Sequence, residues 1–183
     1  MSASRTRKAD RRRPRAVRKA ASAKTGPSLS LSIQLGEGID ALPASRAQLR
    51  RWVAAAIDAD ATLTLRFVGR TEARMLNREY RGRDYATNVL TFAYEMPAGA
   101  TGAPAGAAQA APVQADIVVC VPVLEREASE RRMPLAHHLA HLVVHGVLHA
   151  CGHDHEHDDE AQAMEAREVE LLARFRIPDP YRA

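Results

Sequence analysis

All eight histidines of this 183-residue chain lie between His137 and His157, a window of 21 residues. Random placement does not produce such a cluster, so imidazole chemistry is concentrated there. His137, His141, His145 and His149 recur every four residues in a segment with helical patterning. Each is displaced by about 40° and about 6 Å from the last, so the four share one helix face. Neutral imidazoles on adjacent turns can converge on one cation, the way zinc hydrolases present two ligands from a helix.

The sharper pattern is His145-Gly146-Val147-Leu148-His149-Ala150-Cys151-Gly152-His153-Asp154-His155. Gly152 can take the left-handed conformation that ends a helix, so the chain turns back and His155 reaches a metal held by His145 and His149. Three neutral nitrogen ligands leave one tetrahedral position for water, whose pKa a zinc ion lowers to about 7. The pattern therefore predicts one zinc ion per chain and hydrolysis, although imidazole donors also accept nickel, cobalt or iron. His137 and His141 read equally well as lining that face and as exposed; His138, on another face, is expected to be solvated. His157 and Asp158 lie beyond the turn and are not taken as ligands. Cys151 sits about 200° around the helix from His149, which excludes it. With only Cys120 and Cys151 there is no disulfide framework, and both read as reduced thiols of a cytosolic protein.

The elements that position these residues are legible from periodicity. Leu29, Leu31 and Ile33 alternate with polar residues as a half-buried strand, and Thr62–Val68 alternates likewise. Ser45 N-caps a helix carrying Leu49, Trp52, Val53, Ala56 and Ile57. Thr71 opens a second helix with Ala73, Met75, Leu76 and Tyr80 on its apolar side, and the Trp, Met and aromatic positions are assigned to the core. Asn88–Phe92 and Asp116–Val121 are the third and fourth strands, the fourth apolar enough for a buried position. Helices follow over Val123–Arg131, Leu135–Ala150 and Asp158–Phe175. Strands early and helices late predict one α+β (or α/β) domain, a mixed sheet of about four strands under several helices, with the zinc site at the end of the histidine helix.

Charge divides the chain. Residues 1–25 hold ten Lys and Arg against one Asp, so the formal +4 conceals a remainder of −5. The predicted organisation is a disordered basic arm over 1–26 and a folded domain over 27–183, with a mobile Ala/Gly/Pro-rich loop at 97–113. The arm reads either as a solvated extension or as a phosphate-binding segment. No apolar run is long enough to cross a bilayer and no secretory signal opens the chain, so no membrane partner is expected.

Zinc peptidases of the metzincin type carry the same spacing at His145, His149, Gly152 and His155. Their general-base glutamate follows the first histidine, where this chain has Gly146, which counts against peptide hydrolysis. The chain instead resembles the YbeY family of bacterial endoribonucleases, whose signature looks like HGxLHLxGYDH against HGVLHACGHDH here. It departs at Ala150 and His153, neither a ligand position. The resemblance extends to Leu76-Asn77, Tyr80-Arg81, Thr87-Asn88-Val89-Leu90-Thr91-Phe92 in place of TDVLSF, Asp116-Ile117 in place of GDI, and Met164 and Glu168. It covers about residues 70–172, and Asn88 in place of Asp removes a carboxylate.

The resemblance implies a single-domain protein of the bacterial cytoplasm, binding zinc through His145, His149 and His155. It implies an endoribonuclease acting on single-stranded RNA in maturation of ribosomal RNA, notably the small-subunit 3′ end, and in ribosome quality control. Ribosomal or small-subunit proteins are implied partners. Arg81 corresponds to the family's functional arginine and suits bidentate phosphate recognition. Asp116 is left between a partner contact, a site-orienting role and a structural place in its strand. No carboxylate is placed as general base, leaving His141 or metal-activated water for that task. The alternatives are a ribosome-assembly factor with a mainly structural zinc and, lower, a zinc peptidase.

Overall fold

The computed structural model describes residues 26–94, 111–153 and 157–182. The basic arm at 1–25, most of the 97–113 loop and His155 lie outside the described residues. The elements run β1 (Leu29–Leu35), α1 (Arg46–Ala56), β2 (Ala61–Val68), α2 (Arg70–Arg81), β3 (Val89–Ala93), β4 (Val113–Cys120), α3 (Val121–Glu130), α4 (Leu135–Ala150) and α5 (Asp158–Ala173). The α+β expectation holds: β1, β2 and β4 are parallel, β3 is antiparallel to β4, and the order is β1-β2-β4-β3. No helix among the described residues is long and apolar enough to cross a membrane.

Strand periodicity decides which helix meets which sheet face. Leu63, Leu65 and Phe67 of β2 and Ala115, Ile117 and Val119 of β4 join the main core with Leu49, Trp52 and Val53 of α1 and with α4. The alternate residues Val68, Val118 and Cys120 face Ala73 of α2 and Val123 of α3 in a smaller second cluster. Ser45 caps α1 as expected, accepting from the Gln48 amide while Gln48 reaches back, a reciprocal capping box.

Some boundaries shift for physical reasons. Val121 begins α3 and does not end β4, because Pro122 cannot donate to a ladder but fits a first helical turn. Val113 belongs to β4, pairing with Ala61, so the expected loop ends sooner. On α2 the buried residues are Ala73 and Asn77, whereas Met75 and Tyr80 are exposed. Met75 lies about 200° from Ala73 on the helix. Tyr80 faces the sheet but overhangs the edge strand β3, where Phe92 is its ring partner. All four tyrosines are exposed, so the core assignment of the aromatics holds for Trp52 and Phe67 but not for them.

α4 lies against β3 and β4, and Gly146 permits the approach. A methyl group there would stand 2.8 Å from Ile117 Cγ2 and 3.1 Å from Thr91 Oγ1. The Thr91 hydroxyl donates to the Gly146 carbonyl at 3.3 Å, fastening helix to edge strand. Gly146→Ala should therefore cost about 1–3 kcal/mol despite alanine's better helix propensity. A lower urea midpoint at unchanged slope is the expected result, and a midpoint equal to or above wild type would refute this account of the packing.

Candidate metal centre

The histidine helix ends as the glycine implied. Gly152 has φ 88°, its amide donates to the His149 carbonyl at 3.0 Å, and the His153 amide donates to the Leu148 carbonyl at 3.0 Å. This pair of reversed bonds is a Schellman termination. His145 and His149 come together on the last two turns, ring centroids 4.5 Å apart and planes at 81°. Among the described residues no group of three or more His, Cys, Asp or Glu side chains is assembled around one point. The third predicted ligand, His155, lies outside them. Burial pushes the Cys151 thiol up to about 11, which disfavours the thiolate a metal would need.

What holds the imidazoles is a residue spacing did not single out as functional. Glu168 of α5 is fully buried. One carboxylate oxygen accepts from His145 Nδ1 and the other from His141 Nε2, each at 2.8 Å, and the Tyr181 hydroxyl also donates to it. Burial by itself would raise this carboxyl, but bonds from His141, His145 and Tyr181 outweigh it and hold it at about 2. The bond to Glu168 engages Nδ1 of His145, so Nε2 is the nitrogen of that ring that would face a metal. The donor set thus fits an ion: imidazole nitrogens at helical spacing, one ring oriented by a buried anion. The same anion and Asp179 and Glu165 nearby, with burial the largest cause, push the Tyr181 phenol up, so it stays a proton donor. A signal for Glu168 was present in the sequence, a carboxylate at an apolar position of the stripe Met164, Leu171, Leu172.

A second buried pair continues the row. His138, expected to be solvated, is 1% exposed; its Nε2 lies 2.8 Å from Glu127 Oε2. The 3.6-residue turn puts position 138 between α4 and α3, so the correction follows from the α3–α4 contact, which periodicity within one helix does not reveal. Burial lowers the His138 pKa and keeps the ring neutral. His141 is turned inward as well: Nε2 is held by Glu168, and Nδ1 is buried without a partner among the described residues. Neither nitrogen is presented to a substrate, which removes His141 as general base. A cavity of about 450 Å³ runs along this row, lined by Asn88, His138, His141, His145, Glu168 and Tyr181 among others.

Residues 41–176 match the family described as Endoribonuclease YbeY. The chain belongs to the YbeY endoribonuclease family. The protein named Endoribonuclease YbeY from Thiobacillus denitrificans is 50% identical over 155 residues, covering 85% of this chain and 97% of that one. Its namesake from Cupriavidus pinatubonensis is 51% identical over 161 residues, 86% of this chain and 74% of that one. That from Herminiimonas arsenicoxydans is 52% identical over 153 residues, 84% and 95%. The solution structure of TM1509 from Thermotoga maritima superposes with a TM-score of 0.47 at 26% identity, covering 84% of this chain and 99% of that one.

Within this YbeY-family chain the other motif residues find distinct places. Arg81 ends α2, exposed, and does not line the cavity. Asp116 accepts from the Tyr94 hydroxyl at 2.7 Å on the sheet face away from α4. Asn88 has a structural task that accounts for the amide at this position. Its Oδ1 accepts from the Val89 amide at 2.7 Å, and its Nδ2 donates to Glu127 Oε2 at 3.0 Å. An aspartate there would set two carboxylates against each other beside His138.

Two predictions follow from these charges. Asn88→Asp should destabilise by roughly 1–3 kcal/mol at neutral pH through the lost donor and the like charge, and adding Glu127→Gln, which exchanges amide and acid, should restore most of it. A double variant no more stable than Asn88→Asp in urea would contradict this pairing. Glu168 has its folded-state pKa at about 2, below its ordinary 4.5. Its contribution is therefore fully present above the unfolded value and is lost as pH falls from about 4.5 towards 2. The urea midpoint of metal-free protein should fall over that window more steeply than that of Glu168→Gln; parallel curves would show the carboxylate uninvolved.

Proposed function

We propose that this protein is a metal-dependent endoribonuclease of single-stranded RNA, with ribosomal RNA as the substrate class, and that His145, His149 and His155 hold one zinc ion. The observation that carries the metal assignment is the bond from His145 Nδ1 to the buried Glu168. A carboxylate behind an imidazole orients its ring and raises its donor strength. The RNA assignment rests on membership of a family whose relatives, at about half identity over most of their length, carry the name endoribonuclease.

A divalent ion held there supplies Lewis acidity towards a phosphoryl oxygen or an attacking water. The chain's own residues do the rest. Glu168 keeps the proton of His145 on Nδ1 and, through His141 and Tyr181, fixes the rows around it. It is consumed by these donors and is no general base. Gly146 faces Ile117 and Thr91, so a catalytic side chain at the position a zinc peptidase uses would run into the sheet. Arg81, exposed at the end of α2, pairs with non-bridging phosphate oxygens as negative charge accumulates in phosphoryl transfer. Ribosomal partners and a cytoplasmic setting belong to the same reading and draw on the family resemblance.

The test is cleavage of a labelled single-stranded oligoribonucleotide by purified full-length protein. Chelation should abolish cleavage and stoichiometric zinc restore it. His145→Ala should remove at least about a hundredfold of the rate, and Arg81→Ala about ten- to a thousandfold. Glu168→Gln should weaken zinc binding about 10–100-fold in competition with a chromophoric chelator. Undiminished cleavage by metal-stripped His145→Ala would overturn the assignment.

A further inference from the structure

Three of the four tyrosines gather where α2 meets the edge strand β3, and none is in the core. Tyr80 is 62% exposed and Tyr85 51%. A tyrosine has an apolar ring that ordinarily finds cover, so rings held in water call for an explanation.

These rings are held. Tyr80 packs edge-on against Phe92, centroids 4.9 Å apart and planes at 65°. Gly82, at φ 67°, ends α2 and turns the chain into the segment carrying Tyr85. The Tyr85 carbonyl accepts from Nδ2 of the buried Asn77 at 2.8 Å. Arg74 clamps Asp84 through two bonds of 2.7 and 2.5 Å. An exposed aromatic on pinned backbone has little left to order on binding.

The surroundings are basic. Residues 70–85 contain five arginines and three carboxylates. Two of those carboxylates are engaged, Glu72 by Arg66 and Asp84 by Arg74. Arg83 donates to the Tyr85 hydroxyl at 3.3 Å. That bond, aided by the charges of Arg83 and Arg81, holds the phenol below its ordinary value, as a positive local potential would.

We propose that Tyr80 and Tyr85 form a base-stacking platform for single-stranded RNA, with Arg83 contacting its phosphates. Rings and guanidinium groups together are the equipment of sequence-tolerant single-strand binding, because every base offers a π face and every nucleotide a phosphate. A duplex keeps its bases stacked internally and cannot use such rings, so the platform itself selects unpaired RNA. Its place suits delivery to the imidazoles. Phe92 beneath Tyr80 and Thr91 beside it point to opposite faces of β3, and Thr91 is bonded to Gly146, the neighbour of His145. A strand crossing the β3 edge passes from the rings to the histidine helix.

This inference rests on the RNA reading of the site, and binding separates the two. Full-length protein stripped of metal, and so unable to cleave, is titrated into labelled oligouridine and into an abasic ribose–phosphate strand of the same length, with anisotropy as readout. Tyr80→Ala and Tyr85→Ala should each weaken oligouridine binding about 5–100-fold and leave the abasic strand unaffected. Tyr80→Phe should bind like wild type, which reports an intact fold. Arg83→Ala should weaken both strands and lower the slope of log affinity against log salt by about one. If both alanine variants bind oligouridine as wild type does, or lose the two strands equally, the platform is wrong while the nuclease reading stands. If wild type binds neither strand, the RNA reading falls with it.

Discussion

A carboxylate out of contact with water stabilises the folded protein only if its charge is met by donors, and Glu168 is met by three. His141, His145 and Tyr181 come from the middle of α4, the turn that follows and the chain after α5. Burying such an anion unpaired would cost several kcal/mol, so these segments are bound to one arrangement. That arrangement also fixes which nitrogen of His145 faces the carboxylate. One ionic cluster therefore ties the packing of α4 against α5 to the orientation of the His145 ring.

The second constraint is how near α4 comes to the sheet. Gly146, inside a helix otherwise rich in bulky apolar residues, lets Ile117 and Thr91 approach its backbone. This brings His145 beside β3, the edge strand among the described residues. The edge position leaves Tyr80 exposed over β3, against Phe92. Asn88 and Glu127 close the far end of the row, where His138 is buried between α3 and α4 and bonded to Glu127. The amide at position 88 is explained by what it touches, a carboxylate that needs a donor.

The histidine pattern, the glycine termination at Gly152, and the five helices and four strands among the described residues were legible because each depends on contacts within a few residues. Helical spacing places His145 and His149 on one face whatever the rest of the chain does. The burial of His138, the inward turn of His141 and the exposure of Met75 and Tyr80 were not legible in that way. Each depends on which neighbouring element is present, α3 beside α4 or no further strand beyond β3 among the described residues, and periodicity within one segment carries no record of its neighbours. Glu168 stands between these cases. A charge on an apolar stripe signals a buried partner, but the partners are 23 and 27 residues away.

By itself the sequence determined the class of fold, the helix that bears the imidazoles and the point where that helix stops. All of these follow from side-chain chemistry and local backbone geometry. Only the tertiary structure decided that Glu168 orients His145, that Asn88 serves Glu127 and that Tyr80 stands in solvent over the sheet edge. A hydrogen bond between distant segments forms when the whole core brings them within about 3 Å, and no local rule of spacing contains that distance.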